Sequence, residues 1–285
     1  MYSIYITSKW LRTFYIKSRW LRTFIAALVL LAGWALISHF STYAQSLLPP
    51  PERVISRMFE RDFASTYALI VIPNSLAWVL LAWALGFALT GFLSIASRSS
   101  PFIKSMLDLL FIGGRTLPSV IAVPLFAAIL GLDRGSAICC SVFLVISYSH
   151  PAFEESLGTL AQTKSSIREA IGLSKFHEFV MVILPGVASA WKAISVQSLG
   201  IALVVSIAGE MILSFPNSVG DEVSDMIWLN RTVDLYSVIC WLVISVGLIR
   251  WGVELIPGLF ELPGRRLVRR IYSESGINLN IEQAS

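Results

Sequence analysis

Long apolar runs separated by short polar stretches are the feature that most restricts how this chain can fold. They fall at 24–40, 70–96, 117–132, 135–150, 193–213 and 237–257. A helix rising ~1.5 Å per residue needs ~20 largely apolar residues to cross the hydrocarbon of a bilayer. Inside lipid the backbone must satisfy its own hydrogen bonds, and helices do so within one segment. Charged residues make up 14% of the chain and hydrophobic ones 55%, whereas a soluble domain carries about 25% charge. The mean hydropathy of +0.72 agrees. The expectation is an all-α integral membrane protein of six spans, the shorter runs being accommodated in a tightly packed bundle.

Around those spans the chain divides further. Residues 1–23 form a basic segment containing a repeat, SKWLRTF at 8–14 and SRWLRTF at 18–24. A signal peptide would share the basic start, but no small-residue cleavage site closes the apolar run. The first span, 24–42, therefore reads as retained. The repeat reads as an interfacial anchor with Trp10 and Trp20 at headgroup level. A connector, 43–69, contains Pro-rich sequence followed by a short amphipathic helix. A core, 70–260, includes a charged loop at 151–192, and a tail occupies 261–285. Within the core, Pro101 to Gly114 is apolar but bracketed by breakers, which predicts a re-entrant or interfacial helix. Gly86, Thr90 and Ser94 recur at four-residue spacing, a sign of close helix packing. Cys139, Cys140 and Cys240 lie in apolar runs without metal-type spacing and read as core residues. His39, His150 and His177 are scattered, and no metal site is expected.

Basic residues orient the bundle. With the N-terminus in the cytosol, that side receives Lys9, Arg12, Lys17, Arg19, Arg22, Arg98, Lys104, Lys164, Arg168, Lys175, Lys192, Arg265, Arg266, Arg269 and Arg270. The other side receives Arg53, Arg57, Arg61, Arg134 and Arg231. Fifteen against five is a strong positive-inside bias. It predicts that both termini and the loop 151–192 are cytosolic. It also accounts for the pI near 9 without any nucleic-acid partner.

The cytosolic loop is longer and more polar than a turn requires. Ser166-Ile-Arg-Glu169 has the form of a capping box at a helix start. Ile167, Ala170 and Ile171, then Phe176, Phe179 and Ile183 beyond Gly172, fall at helical spacing. A two-faced helix outside the bilayer suits docking into a groove on a partner; an ordinary interfacial loop is the plainer alternative. Gly172, Ser174, Phe179 and Leu184-Pro185 resemble the G-A-S-x(4)-F-x(4)-L-P tail of the EAA loop, the signature of permease subunits in binding-protein-dependent ABC importers. Glu169-Ala170 resembles its opening, set three residues closer to the Gly than in the family. Leu47-Leu-Pro-Pro-Pro-Glu-Arg-Val54, Arg115-Thr-Leu-Pro118 with Val123-Pro124-Leu125, and Gly209-Glu210-Met211 resemble segments of the nitrate/sulfonate/taurine subfamily. The resemblance covers roughly residues 45–260.

That resemblance implies a six-span type I ABC importer permease bundle. It implies a second permease subunit, two ATPase subunits and an extracytoplasmic solute-binding protein as partners. The cargo would be a small, nitrate-, sulfonate- or taurine-like anion. Glu169, Ala170, Gly172, Ser174, Phe176, Phe179 and Pro185 would couple the subunit to the ATPase. The chain has no G-x(4)-G-K-[ST], so ATP would be held by the partner. No catalytic constellation is present either, and the chain itself calls for no cofactor and is expected not to be an enzyme.

Polar groups at membrane depth are the remaining candidates. Glu210 ends a near-apolar stretch beginning at Gln197, and an ionisable group inside a span normally faces a cavity or a partner. It reads either as a translocation-path residue or as an interfacial one. Arg115, beside two glycines, reads as an anion-attracting cation near free helix-end amides or as a snorkelling side chain. Asn74, Ser75, Gln197 and Ser198 either line a path or bond between helices. A secondary transporter or channel, with Glu210 as a proton site, is the rival reading. It leaves the docking-type loop unexplained.

Overall fold

The computed structural model describes the backbone of residues 19–40, 47–171 and 184–274, and side chains over 21–40, 47–158 and 191–253. The elements in these stretches are all helical: α1 (Arg19–Phe40), α2 (Pro51–Met58), α3 (Arg61–Ser97), α4 (Pro101–Thr116), α5 (Ser119–Leu130), α6 (Arg134–Ile171), α7 (Leu184–Leu213), α8 (Val219–Trp228) and α9 (Thr232–Glu274). Five have segments long and apolar enough to cross a membrane: Leu21–Phe40, Arg61–Ser97, Arg134–Gly158, Trp191–Leu213 and Thr232–Val253. The chain is a multi-pass, all-α membrane protein.

The sixth expected span, 117–132, is built differently. Leu117 is extended (ψ 117°) ahead of Pro118, as the steric demands of a following proline favour. α4 and α5 meet there at a bend of 115°. Neither is long enough alone: twelve-residue α5 reaches only ~18 Å. Both pack against α6. Lys104 lies 3.7 Å from Glu154, the Phe111 ring meets that of His150 at a tilt of 49°, Leu117 and Val123 pack with Cys140 and Leu144, and Arg134 follows at the far end. Pro101–Gly114 is thus the first arm of a bent helix pair, the geometry of either one broken crossing or a re-entrant hairpin.

Two other boundaries differ from those expected. α3 begins at Arg61 rather than near 70, and its Ala64–Val71 stretch is π-helical. Pro73 has no N–H for a carbonyl one turn back, and a widened turn just before it absorbs that mismatch. α6 runs uninterrupted through Pro151 and Ser166 to Ile171, so Ser166 caps no helix start. The loop 151–192 therefore begins as a continuation of the helix.

The chain divides into two compact units, Met1–Ala68 with Asp225–Trp241, and Leu69–Ser224 with Leu242–Ser285. In the first, α2 buries Val54 and Met58 and is stitched to the start of α9. Ser237 Oγ donates to the Val54 carbonyl (3.2 Å) and Trp241 Nε1 to that of Met58 (3.1 Å). Asp234 takes Arg57 Nε at 2.6 Å and Arg231 Nε at 2.8 Å. Its hydrogen bonds hold both guanidiniums above their ordinary pKa.

In the second unit α6 is the central helix: 61% of its apolar window is buried, against 39% for α7 and 28% for α3. Val79, Val145, Leu199 and Ala202 form one core cluster of the bundle. The small-residue stripe of α3 does what its spacing predicts, since Ala82, Gly86, Thr90, Ser94 and Ser97 are all buried. Cys140 packs in the core as expected, but Cys139 is exposed and Cys240 half-buried, because adjacent helical residues point to different faces.

At Gly86 α3 and α6 approach closely. A Cβ there would lie 2.6 Å from Val145 Cγ1, 2.8 Å from its Cβ and 3.2 Å from the Val142 carbonyl. A Cβ on Gly91 would meet nothing within 4 Å. Thermal unfolding of the detergent-solubilised protein should therefore show Gly86→Ala destabilised by about 1–3 kcal/mol, the usual cost of overpacking, with Gly91→Ala near the parent. Equal stabilities would disprove this packing.

Candidate functional site

The second unit carries a buried polar node where α3, α7 and the start of α8 meet. Its origin is a helix start. Ser218 Oγ accepts from the Asp221 amide at 3.3 Å, and the Ser218 carbonyl accepts from the Glu222 amide at 3.1 Å. Ser218 is therefore the N-cap of α8, with Asp221 and Glu222 in the first turn, where carboxylates complement the helix dipole. The amides of Val219 and Gly220 still need acceptors, since the first turn has none of its own.

Other helices supply them. Val219 N–H donates to Ser75 Oγ at 2.8 Å, and Gly220 N–H donates to Glu210 Oε2 at 3.1 Å. Ser75 Oγ in turn donates to the same Glu210 oxygen at 2.8 Å. The group is closed off from solvent, Glu210 being 4% exposed and Ser75 and Ser218 0%. A carboxyl group that would be costly in an apolar span is thus held by a hydroxyl and a helix-start amide.

The loop leading to α8 is pinned from other directions. Asn74 Nδ2 donates to the Asn217 carbonyl at 2.8 Å and Arg134 Nη2 to that of Pro216 at 3.0 Å. The Arg134 guanidinium lies 5.5 Å from the Trp78 ring and 5.4 Å from that of Phe215, within cation–π range. Ser214 and Asn217 have positive φ (49° and 56°), the turn conformation that ends α7 and redirects the chain. Gly220 permits the close approach: a Cβ there would sit 2.5 Å from Glu210 Cβ and 2.6 Å from Ile207 O and Met211 N.

The opposite end of the same bundle has a second node. Glu154 Oε1 accepts from Ser97 Oγ at 2.7 Å, while its Oε2 lies 3.7 Å from Lys104 Nζ, as does Asp108 Oδ2. One side chain of α6 thereby joins α3 to α4. Sequence reading gave no hint of this cluster, because its members are spread over more than 50 residues and match no motif.

Of the four path candidates, Glu210 and Asn74 converge on the first node. Arg115 does not. It is exposed in the last turn of α4, with its carbonyl accepting from Tyr148 Oη at 3.0 Å. Gly114 packs at Ser147 whereas Gly209 packs at Ala137, a separation of ~15 Å along α6. Gln197 is exposed and lies ~20 Å along α7 from Glu210. Among the coupling candidates, Glu169 and Ala170 lie in the last turn of α6 and Pro185 near the start of α7. Gly172, Ser174, Phe176 and Phe179 lie outside the described residues. Among the described residues no group of three or more His, Cys, Asp or Glu could hold a metal ion.

Compared with protein-family models and with curated proteins, the chain finds no match.

The node makes a testable statement about stability. Glu210→Ala strands the Gly220 amide and the Ser75 hydroxyl, and leaving a buried donor unsatisfied costs about 1–3 kcal/mol. Gly220→Ala should be at least comparably destabilising through collision, while Gly113→Ala, with nothing within 4 Å of the added Cβ, should be neutral. Chemical unfolding in detergent measures all three. A Gly220→Ala protein as stable as the parent would contradict the geometry.

Proposed function

We propose that the chain is the permease subunit of an ATP-driven ABC importer of the inner membrane, carrying a small anionic solute delivered by a binding protein. The observation that carries this reading is the polar stretch 164–180, whose Gly172 to Pro185 spacing resembles the ATPase-docking loop of such permeases. The shape of α6 supports it. From Gln162 the sequence turns polar (Gln162, Lys164, Arg168, Glu169) while the helix continues to Ile171, so ~15 Å of polar helix leads from α6 into that stretch. ATPase closure acting on residues 169–179 would move α6, and through it the α3 and α7 contacts. Nucleotide energy would then bias a bundle with two arrangements.

The distribution of polar contacts supports the accompanying topology. Asn74, Arg134 and Asn217 gather at one end of the bundle, and Ser97, Lys104 and Glu154 at the other. This is the alternation required if the N-terminus is cytosolic and the α4–α5 pair crosses once. The Glu210 node then belongs to the outer end of the translocation path, where it ties α7 to α8. In the homodimeric assembly that the resemblance implies, two such nodes would flank the path.

Two measurements test the reading. In a cysteine-free background, a cysteine at Asn217 should react with an impermeant thiol reagent in intact cells, and one at Lys175 should not. Reversed labelling overturns the topology and the docking loop with it. Gly172→Val should abolish coupling between ATP hydrolysis and uptake, with a loss of at least about tenfold if the docked helix is displaced by even 1 Å, while membrane insertion is retained. Uptake at the parent rate rejects the docking assignment.

A further inference from the structure

α6 contains a joint that the packing of the bundle does not explain. Pro151 lies inside the helix and has no N–H to offer the Ser147 carbonyl, which interrupts the ladder at that turn. The Ser147 side chain bonds back to the Phe143 carbonyl at 2.8 Å, an arrangement that favours bending. The residue before the proline is His150. Its side chain is fully buried, and neither ring nitrogen has a hydrogen-bond partner among the described residues. Its ring rests on Phe111, with centroids 4.9 Å apart. The nearby stripe of α3 adds another buried orphan, Ser94 Oγ.

A buried imidazole with no partner is costly, and an imidazolium there would be costlier still. One turn further along α6, on the same face, Glu154 is held by Ser97 and Lys104. α4 contributes Lys104, Asp108 and Arg115 to the surroundings of His150. α3 contributes the uncharged Ser94 and Ser97, with Arg98 at its exposed end, and α5 has no titratable side chain. Glu155 and, on α7, Lys192 are exposed. Glu154 is the carboxylate an added proton on His150 would favour.

We propose that His150–Pro151 is a proton-operated hinge in α6: uptake of a proton by His150 bends the helix at Pro151 and pairs the imidazolium with Glu154, loosening its hold on Lys104 and Ser97. The proton comes from solvent and no covalent bond changes. The hinge lies between the stretch of α6 that packs Cys140, Leu144 and Val145 in the core and the stretch that carries Phe153, Glu154 and Leu157, so acidification would alter how the two stretches are joined. The proposal does not depend on the importer reading, because it concerns only this helix and its neighbours.

Hydrogen–deuterium exchange of the purified full chain tests it. Deuteration of the amides in 147–155, corrected for intrinsic rates, is measured between pH 8 and pH 5.5. Each pH unit changes the ratio of protonated to neutral ring tenfold, so the parent should exchange at least about tenfold faster at the acidic end. His150→Phe should keep the protection seen at pH 8 and lose the pH response. His150→Gln serves the same purpose if the Phe variant does not fold. Pro151→Ala, which restores the amide, should reduce the response. Exchange independent of pH in the parent overturns the proposal, as does a response retained without His150 or undiminished in Pro151→Ala.

Discussion

A carboxyl group shared between a hydroxyl and a helix start is the constraint on which one end of the second unit, where α7 gives way to α8, depends. α8 begins within the bundle, and its first amides cannot be left without acceptors in an apolar setting. Ser218 satisfies one, Ser75 the next, and Glu210 the third. The apolar stretch preceding Glu210 makes that residue costly without a partner, and α8 without an acceptor would be costly in turn. Each removes the other's penalty. The node therefore fixes where α7 ends, how the chain turns through Asn217, and where α8 starts.

The remainder of the second unit follows from α6. A helix buried on most of its surface needs small neighbours where backbones approach, which Gly86, Gly114 and Gly209 provide. At one end α6 packs beside the Glu210 node through Ala137 and Gly209; at the other it carries Glu154. Residues 134–158 thus touch both polar nodes as well as the apolar core. A displacement along or within this helix is felt at both ends of the bundle.

Much of this was legible in the sequence because hydropathy and spacing are local. Five spans, the small-residue stripe at Gly86, Thr90 and Ser94, and the importance of Glu210 could be read directly. The 117–132 segment was harder: an apolar window does not register the extended Leu117–Pro118 step at which the chain bends, although proline at 118 was the available signal. Ser166 illustrates the opposite failure, a local capping pattern overridden by a helix that simply continues. The partners of Glu210 were beyond local reading, since Ser75 lies 135 residues away. The N-cap at Ser218, followed by Asp221 and Glu222, was a readable helix start. His150 showed only as a scattered histidine, because its isolation depends on tertiary burial.

The central claim is that this bundle is driven by a separate ATPase docked near Gly172. The most direct measurement is to isolate the chain from its native membrane in mild detergent, assay ATP hydrolysis, and reconstitute it with and without whatever ATPase accompanies it. The expected result is an associated ATPase whose removal stops solute uptake. A chain that purifies without ATPase activity and moves solute down or against an ion gradient by itself would contradict the account and establish a secondary transporter or channel.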